Sequence, residues 1–497
     1  MLGYSVSDSG LQVYRFTEEG QAETLVELPE AEVAQWSPDG RVLAVASATP
    51  VPTLSVFDGE SLALLHKWSP CVNKIVRMQL SPQGNFVALC SRYEVSDPKN
   101  FRIVRLSDGE ILVNHALGNY VEAFPPCQWS SKETFLGYQA TGRGVDVYRM
   151  SDPLIGPGNA AWTTVTHDRM TTFHMGLEKG TTCLVATAST STRKKKSAPG
   201  SVKVTNLFAP NSILQSTSYF NCDSVTLMMN HDDTGLIAIT HSEVDSTGQS
   251  YYGKDVVYLL PLVGAGKAMQ PITEGPIHDI TWSTTENKFA AVSGPIPPKV
   301  TLFDGTTGKP LVDFGTSRRN TLRFSKCGRF LLSGGFGNMA GLTDIWDLQK
   351  LTVVGSNRLD CTVLCSWAPD SRWILCASAL PRMKIDNHFK IVQYNGAVLA
   401  TTLMDGLTSF EWRPENCEFM EPDATLQPVG YGEETKKADQ LSKETNVGTA
   451  KDLSKPNSTA VPGADFVGGL STKRKNKKKT KAAADEGFAF TIETPTF

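Results

Sequence analysis

The sequence predicts an all-β fold in which short four-stranded sheets, the blades of a β-propeller, follow one another around a ring. Three observations predict it: a repeated polar turn followed by an apolar strand, a nearly regular spacing between the copies, and alternating apolar and polar residues after each copy. With 497 residues, of which 40% are hydrophobic and 20% charged, the chain is long enough to bury a large core.

The repeat places an aromatic or apolar residue before the polar turn. Its clearest copies are QWSPDGRVLAVAS from Gln35, QLSPQGNFVALCS from Gln79, RFSKCGRFLLSGG from Arg323 and SWAPDSRWILCAS from Ser366. Weaker copies begin at Gln128, His174, Met229 and Thr281, and a ninth at Glu411 stops before its second strand. The residues at the Trp position (36, 80, 129, 174, 229, 282, 324, 367 and 412) lie 42 to 55 residues apart. This is close to a blade period of about 40 to 45 residues, whereas a pair of β-sandwiches would not need so regular a period.

The strands after each copy predict how the ring closes. Runs such as LSVFDGES from Leu54 and KVTLFDGTTG from Lys299 alternate apolar and polar residues, as outer strands of a blade do. The N-terminal run LQVYRFTEEG from Leu11 is a closing strand without an opening half, and the ninth copy lacks its later strands. The two chain ends are therefore expected to complete one blade, which removes an open sheet edge. This predicts nine blades, or eight if two weaker copies merge.

The predicted propeller is WD40-like but departs from the standard WD repeat. The sequence contains no Gly-His dipeptide, and Trp346-Asp347 is the only Trp-Asp pair that closes a strand. Phe57-Asp58 and Phe303-Asp304 are relaxed versions of that pair. The sequence therefore does not predict the hydrogen-bonded tetrad of the standard repeat.

The character of the sequence changes near residue 417, and we expect the propeller to span residues 1–417 and a disordered tail to span 418–497. The tail is rich in Glu, Lys, Thr, Ser, Pro and Gly and loses the apolar periodicity. Its basic residues are concentrated in one run, which consists of Lys473, Arg474, Lys475, Lys477, Lys478, Lys479 and Lys481. So dense a run contacts nucleic acid, serves as a nuclear address, or is a solvated segment without function.

Composition and motifs exclude several classes of function. A net charge of -3 argues against a basic nucleic-acid binder of the histone type, so any RNA contact must be local. The N-terminus lacks the pattern of a secretory signal, and no 18 apolar residues run together, so we expect a soluble intracellular protein. The ten cysteines form no C-x-x-C pair and are expected to be reduced core thiols.

Catalytic and metal-binding patterns are missing as well. The eight histidines show no i, i+4 pairing, and no G-x-S-x-G motif occurs. The nearest phosphate-loop pattern, at Gly264–Ala268, lacks the upstream Gly and the Ser or Thr after Lys267. We therefore expect no metal, no cofactor and no enzyme, but a rigid platform whose loops make contacts.

Three groups of loop residues are candidate RNA contacts. Four consecutive basic residues in a loop within a blade could neutralise phosphates, or simply be solvated: Arg193, Lys194, Lys195 and Lys196. Tyr251 and Tyr252 could stack on unpaired bases, although packing at the start of a strand is the favoured interpretation. Arg318 and Arg319 could each hold a phosphate, or pair with a neighbouring carboxylate. The Gly-rich GGFGNMAG segment that follows them, Gly334–Gly341, is better explained as a tight turn between strands than as a phosphate cradle.

Four stretches resemble the family of eukaryotic translation initiation factor 2A. They are DSVTLMMNHDDTGLIAITHSEVDSTGQSYYGK from Asp223, GPIHDITWS from Gly275, the segment Val312–Asp347, and ALPRMKIDNHFKI from Ala379. The resemblance is strong from about residue 220 to 415 and looser before that. It implies a nine-bladed propeller followed by a flexible basic region.

The resemblance also implies a function. Members of this family bind the small (40S) ribosomal subunit and promote recruitment of initiator Met-tRNA without GTP, in alternative initiation. We therefore expect a cytoplasmic monomer whose partners are rRNA and ribosomal proteins, initiator Met-tRNA, mRNA and other initiation factors, with no membrane. The alternative is a general protein-protein scaffold without direct RNA contact, related to the propeller of initiation factor 3 subunit b.

Overall fold

The computed structural model describes residues 1–117, 124–140, 142–191, 198–243, 253–263, 272–417, 419, 421, 423, 425–431 and 451–453. The chain divides into two compact units, Met1–Lys455 and Pro456–Phe497, and every described residue belongs to the first unit. Within these ranges every helix or strand element is a strand, and the strands form nine sheets. Among the residues described, no helix is long and apolar enough to cross a membrane. The predicted nine-bladed propeller is confirmed, and the alternative of eight blades is not needed.

The strands follow the chain blade by blade. Blade 9 receives its outer three strands from the N-terminus: β1 (Leu2–Ser7), β2 (Gly10–Phe16) and β3 (Ala22–Leu28). Blade 1 contains β4 (Ala31–Trp36), β5 (Val42–Ser47), β6 (Thr53–Asp58) and β7 (Leu64–Trp68). Blade 2 contains β8 (Ile75–Leu80), β9 (Phe86–Ser91), β10 (Phe101–Arg105) and β11 (Ile111–His115). Blade 3 contains β12 (Cys127–Trp129), β13 (Phe135–Ala140), β14 (Gly144–Arg149) and β15 (Thr163–Thr166).

The middle of the chain forms the next three blades. Blade 4 contains β16 (Met170–Lys179), β17 (Thr182–Ser189), β18 (Gly200–Asn206) and β19 (Ala209–Tyr219). Blade 5 contains β20 (Ser224–Met229), β21 (Gly235–Ser242), β22 (Lys254–Pro261) and β23 (Thr273–Gly275). Blade 6 contains β24 (Ile277–Trp282), β25 (Lys288–Ser293), β26 (Lys299–Asp304) and β27 (Pro310–Thr316).

The remaining strands complete the ring. Blade 7 contains β28 (Thr321–Phe324), β29 (Phe330–Gly334), β30 (Leu342–Asp347) and β31 (Thr352–Arg358). Blade 8 contains β32 (Leu364–Trp367), β33 (Trp373–Ser378), β34 (His388–Gln393) and β35 (Val398–Leu403). Strand β36 (Ser409–Trp412) is the inner strand of blade 9, and β37 (Lys451–Asp452) adds a fifth strand to the edge of blade 6.

Blade 9 closes the ring because it is built from both ends of the propeller. Strand β36 pairs antiparallel with β1, with Gly3 opposite Trp412 and Ser5 opposite Phe410. The backbone N–H of Arg413 also donates to the carbonyl oxygen of Leu2 at 2.9 Å. The circular closure that the sequence predicts is therefore confirmed.

The core lies between the blades. In the described residues, buried apolar side chains form nine clusters, and each cluster joins two neighbouring blades. Across the seam between blades 8 and 9, for example, the ring of Phe389 lies 5.1 Å from that of Phe410 and 5.7 Å from that of Tyr14. Apolar burial between blades, and not within one blade, therefore stabilises the ring.

Antiparallel pairing gives the propeller two different faces. We name the strands of a blade A to D from the inside outwards. Because consecutive strands are antiparallel, the A–B and C–D turns emerge at one end, which we call the lower face. The B–C loops and the connections from strand D to the next strand A emerge at the other end, which we call the upper face.

The A–B turns of the lower face repeat one hydrogen-bonding device. The Oγ of Ser37 accepts a hydrogen bond from the N–H of Val42 at 3.1 Å, five residues further on. Equivalent bonds are made by Ser81 at 2.9 Å, Ser130 at 3.1 Å and Ser325 at 3.0 Å, and by the side chain of Asn230 at 3.0 Å. Each bond satisfies a backbone donor at the start of strand B, which explains the polar residue that follows the Trp position in the sequence.

The C–D turns of the lower face use aspartate in a similar way. Asp58 Oδ1 accepts from the N–H groups of Glu60 and Ser61, at 3.2 and 2.8 Å. Asp304 and Asp347 each accept from the N–H groups two and three residues further on, over 2.6 to 3.3 Å. The Phe-Asp and Trp-Asp pairs of the sequence therefore fix these turns.

Part of the chain beyond residue 417 packs on the propeller. We call the described residues between 419 and 431 the strap. Phe419 and Leu426 pack against the seam between blades 7 and 8, and Val429 exchanges backbone hydrogen bonds with Ser356 and Asn395, at 2.7 and 2.8 Å. The division at residue 417 stays a prediction, but ordered contacts continue past it.

The cysteine prediction holds for most positions. Cys71, Cys90, Cys127, Cys183, Cys222 and Cys376 are buried, and all ten thiols are free. It is wrong for Cys361 and Cys417, which are exposed. Cys361 lies in a turn with φ of 59°, and Cys417 follows the last strand of the ring, so neither position faces a seam.

Candidate nucleic-acid interface on the upper face

The structure describes only some of the predicted contact residues. Three groups lie outside the described residues: Arg193, Lys194, Lys195 and Lys196 in blade 4, Tyr251 and Tyr252 in blade 5, and the basic run from Lys473 to Lys481. Arg318 and Arg319 are described. The strand ends beside the first two groups are described as well, and they show where those loops begin.

The two adjacent arginines have different environments. Both lie on the upper face, in the connection between blades 6 and 7. Arg318 is exposed, whereas Arg319 is 1% exposed. Arg319 Nη2 lies 2.5 Å from Asp344 Oδ2 and donates to the hydroxyl of Tyr431 at 2.9 Å. Of the two alternatives for Arg319, phosphate contact or pairing with a carboxylate, the structure shows the second, and removing the buried guanidinium from Asp344 would leave a buried carboxylate without its counter-ion.

The Gly-rich segment beside them is a B–C turn, as expected. It joins β29 to β30, and the side chain of Asn320 holds it by bonding to both the N–H and the carbonyl oxygen of Phe336, at 2.9 and 3.0 Å. A Cβ at Gly335 would collide with the carbonyl oxygen of Arg318. The glycines thus allow close approach of the backbone, and the turn has a fixed shape.

A third arginine flanks the same turn from blade 8. Gly337 has φ of 73°, and a Cβ there would lie 2.8 Å from Arg382 Nη2. The guanidinium of Arg382 therefore lies against the Gly337 backbone, and its side chain is exposed, like that of Lys384. The carbonyl oxygen of Arg318 lies beside Gly335 and the guanidinium of Arg382 lies beside Gly337, so two exposed arginines flank this rigid turn on the upper face.

The loop that carries the four consecutive basic residues has a rigid base in blade 4. The guanidinium of Arg169 donates to the carbonyl oxygens of Thr190 and Pro199, at 3.2 and 2.9 Å. These two residues lie on opposite sides of the loop. Arg169 thereby fixes the separation of the two loop ends.

A buried histidine joins the two strands below that loop. One ring nitrogen of His167 lies 2.8 Å from Thr187 Oγ1, and the other lies 2.9 Å from Ser201 Oγ. Burial, with a smaller contribution from the positive charge of Lys203, lowers the pKa of His167 to about 4. His167 is therefore neutral at physiological pH, and it braces strands B and C of blade 4.

The connection between blades 4 and 5 reaches both predicted contact loops. The N–H of Ser191, at the end of the blade 4 loop, donates to the carbonyl oxygen of Cys222 at 3.0 Å, and the N–H of Cys222 donates to Ser191 Oγ at 2.7 Å. The N–H of Glu243, at the start of the blade 5 loop, donates to Asp223 Oδ2 at 2.9 Å. We call residues 219–223 with these two loop ends the blade 4–5 junction. The described starts of the two loops, Ser191 and Glu243, therefore lie at one place on the upper face although they are 52 residues apart in sequence.

Sequence reasoning missed three exposed residues on this face: Arg169, Phe220 and Arg382. Arg382 lies within the ALPRMKIDNHFKI stretch, where a basic pair in a B–C loop was a usable signal. For Phe220 the usable signal was its aromatic side chain in a connection between strands, where turn residues are expected. Among the described residues, no group of three or more His, Cys, Asp or Glu side chains could hold a metal ion.

Comparison with known proteins gives a consistent result. The family described as eukaryotic translation initiation factor eIF2A matches residues 217–410. Eukaryotic translation initiation factor 2A of Schizosaccharomyces pombe is 29% identical over 390 residues, which cover 77% of this chain and 64% of the relative. The protein of the same name from Dictyostelium discoideum is 33% identical over 223 residues, 45% of this chain and 36% of the relative. The chain thus spans between about one third and two thirds of the length of these curated relatives.

A solved structure supports the fold. A crystal structure described as that of the eukaryotic initiation factor superposes with a TM-score of 0.71 and 24% identity, over 83% of this chain and 98% of the other. At this level of identity the likeness concerns the propeller fold alone.

Proposed function

Because the chain belongs over residues 217–410 to the family of eukaryotic translation initiation factor eIF2A, we propose that it is a translation initiation factor that acts by binding and not by catalysis. It binds the small (40S) ribosomal subunit and promotes recruitment of initiator Met-tRNA without GTP. It does so in the cytoplasm, as a monomer, through the upper face of the propeller.

The observation that carries this proposal is the blade 4–5 junction. The four basic residues from Arg193 to Lys196 start two residues after Ser191, and Tyr252 immediately precedes Gly253, where the described chain resumes. Both loops therefore leave the same rigid junction. A concentration of positive charge beside aromatic residues suits RNA, because phosphates and bases are contacted together.

Exposed cations on the same face extend this surface. Arg318 and Arg382 present guanidinium groups, which can fork onto phosphate oxygens. The basic run from Lys473 to Lys481 serves as a second anchor from the tail. Contacts with phosphate release counterions, so the affinity for the subunit decreases as salt rises.

The lower face is less suited to this role. Its A–B and C–D turns direct their Ser and Asp side chains to their own backbone N–H groups. These groups are used to fix the turns, and the exposed lysines of this face are distributed over separate turns.

The proposal is tested by co-sedimentation of purified 40S subunits with the full chain at two salt concentrations. One variant replaces Arg193, Lys194, Lys195 and Lys196 with alanine. The matched control removes four exposed lysines from lower-face turns: Lys132, Lys309, Lys326 and Lys350. We expect the first variant to lower the slope of log K against log salt by up to about 4, and the control to bind as the parent does.

Two results would contradict the proposal, and one further variant locates the contact. Equal losses in both variants would mean that net charge alone, and not the upper face, decides binding. Failure of the parent chain to sediment with the subunit at low salt would remove the ribosomal proposal. A third variant with the seven basic residues of the tail run changed to serine separates the tail from the propeller.

A second candidate function is a protein-protein scaffold without direct RNA contact. It is favoured by exposed apolar side chains on the upper face of blades 1 and 2, where Val51, Val72 and Val95 are 53%, 72% and 88% exposed. An apolar protein interface would change little with salt, whereas an RNA contact weakens steeply. The salt series therefore distinguishes the two functions.

A further inference from the structure

An exposed aromatic ring lies at the centre of the blade 4–5 junction. Tyr219 is 3% exposed and Cys222 is fully buried, but Phe220 between them is 62% exposed. A single exposed apolar residue is ordinary on a protein surface. This ring differs from most because its backbone is held on both sides and its neighbours are the ends of both predicted contact loops.

Hydrogen bonds fix the backbone on either side of the ring. The hydroxyl of Tyr219 donates to the carbonyl oxygen of Ser189 at 2.9 Å, and Ser191 and Cys222 share three hydrogen bonds. Asn221 has φ of 53°, a conformation that Asn tolerates in tight turns. Tyr219 and Cys222 therefore point into the seam, and Phe220 is directed away from it.

The charge around the ring suits an anionic ligand on one side. Arg169 is exposed and holds both ends of the blade 4 loop, whose end residue Ser191 is bonded to the junction. On the other side the carboxylate of Asp223 accepts from the N–H of Glu243. Arg169 uses one N–H of each terminal nitrogen for the loop ends, and a guanidinium has five N–H groups, so its charge can still attract a phosphate while the ring of Phe220 holds the nucleobase face.

We propose that Phe220 stacks on an unpaired nucleobase of RNA, with Arg169 as the neighbouring phosphate contact. This inference rests on the proposed function and specifies its ligand: single-stranded RNA, whose bases are free to stack. Bases inside a duplex already stack on one another, so the ring has no access to their faces. The site consists of described residues only and does not include the loops on either side.

The experiment measures fluorescence anisotropy of a 12-nucleotide oligouridine and of a duplex RNA of equal length. The full chain is compared with Phe220→Ala, Phe220→Leu and Phe220→Trp. The matched control is Phe208→Ala, which removes a 41% exposed ring from the lower face of the same blade. Because Phe208 packs against Phe135 and Trp162, the melting temperature of each variant is measured as well.

We expect Phe220→Ala to weaken oligouridine binding roughly 5- to 150-fold, the effect of losing one stacked base, and to leave duplex binding unchanged. Phe220→Trp should retain affinity because it keeps a stacking face, and Phe220→Leu should lose it despite being apolar. Phe208→Ala should bind oligouridine as the parent does. Parental oligouridine affinity in Phe220→Ala would overturn the inference, as would full affinity in Phe220→Leu.

The same variants are then sedimented with 40S subunits, so that the two proposals can fail separately. If Phe220→Ala loses subunit binding but keeps oligouridine binding, the ring contacts a ribosomal protein and the RNA inference is wrong. If the parent chain binds oligouridine through Phe220 but does not bind the subunit, the inference stands and the proposed function fails.

Discussion

The two faces of the propeller use polar side chains in opposite ways. On the lower face the same device recurs from blade to blade: Ser37, Ser81, Ser130 and Ser325 each hold the start of a strand, and Asp58, Asp304 and Asp347 each hold a turn. On the upper face the loops differ in length and composition, and cations and apolar side chains are exposed. The fold is specified by the lower turns and the seams, which leaves the upper loops free to carry contacts.

Two Asp–Arg ion pairs of blade 7 show this difference between the faces. Asp347 on the lower side is 1% exposed and pairs with Arg329 at 3.0 Å, while Asp360 on the upper side pairs with Arg358 at 2.8 Å with both side chains about half exposed. Water screens the second pair and not the first. The same kind of Asp–Arg ion pair therefore matters more for stability on the lower face than on the upper face.

The largest expected effect is on the lower face. Asp347→Ala should lower the free energy of unfolding by about 3 to 5 kcal/mol, because it leaves the buried Arg329 with one carboxylate fewer and frees the turn. Asp360→Ala, the matched change on the upper face, should cost about 0 to 1 kcal/mol. Urea denaturation of both variants measures the difference. Similar losses in the two variants would contradict the comparison of the faces.

His167 tests whether a residue near the upper face can contribute as much to stability as a residue of the lower face. Its folded pKa of about 4 lies below the unfolded value of about 6.5, so between these pH values the unfolded chain binds a proton that the folded chain does not. The stabilisation that the neutral His167 side chain gives to the folded state is complete above pH 6.5 and is lost as the pH falls toward the folded pKa. Between pH 7 and 4.5 the parent should lose roughly 2 to 3 kcal/mol more than His167→Gln, measured by urea denaturation at both pH values. An equal pH dependence in the two proteins would show that His167 is not buried as described.

The smallest effect on stability is expected for the exposed arginines of blades 7 and 8. Arg318→Ala and Arg382→Ala should each change the free energy of unfolding by less than about 0.5 kcal/mol. Each should lower the salt slope of subunit binding by about 1 if its guanidinium meets a phosphate. Arg319→Ala should do the reverse, with a clear loss of stability and no separate effect on the slope. If the salt slope is unchanged in both Arg318→Ala and Arg382→Ala, RNA does not contact the upper face of blades 7 and 8.

The sequence was sufficient for the features that neighbouring residues determine. Nine copies of the turn pattern, and a closing strand from Leu11 without its opening half, predicted nine blades and a last blade shared by both chain ends. The strand that pairs directly with β36, β1 at Leu2–Ser7, was not predicted. The weak copy at His174 has a physical explanation, since the register of strand β16 shifts between Met175 and Glu178. Its turn therefore departs from the pattern of the other blades.

Features that depend on distant partners were not predictable. Arg318 and Arg319 are identical in type, and only the position of Asp344, 25 residues away from Arg319, decides which one turns inward. The strap was missed because its apolar residues are sparse and its partners are remote: Glu421 bonds Arg329 across 92 residues, and Tyr431 bonds Arg319 across 112. Arg382 over Gly337 likewise depends on the contact between two blades.

Because β1 pairs with β36, blade 9 cannot be completed until the last strand of the propeller has been synthesised. Strands β1 to β3 leave the ribosome first, but their inner partner, Ser409–Trp412, is about 400 residues away in the sequence. At typical elongation rates of 5 to 20 residues per second this interval is about 20 to 80 s, during which β1 has an unsatisfied edge. The other eight blades can form in order as they emerge, so the nascent chain is an open arc until its last blade is completed. Release of a chain that stops before Ser409 would therefore leave the edge of β1 unpaired and the apolar side of blade 8 without Phe410 and Trp412, and such a chain is prone to associate with other copies.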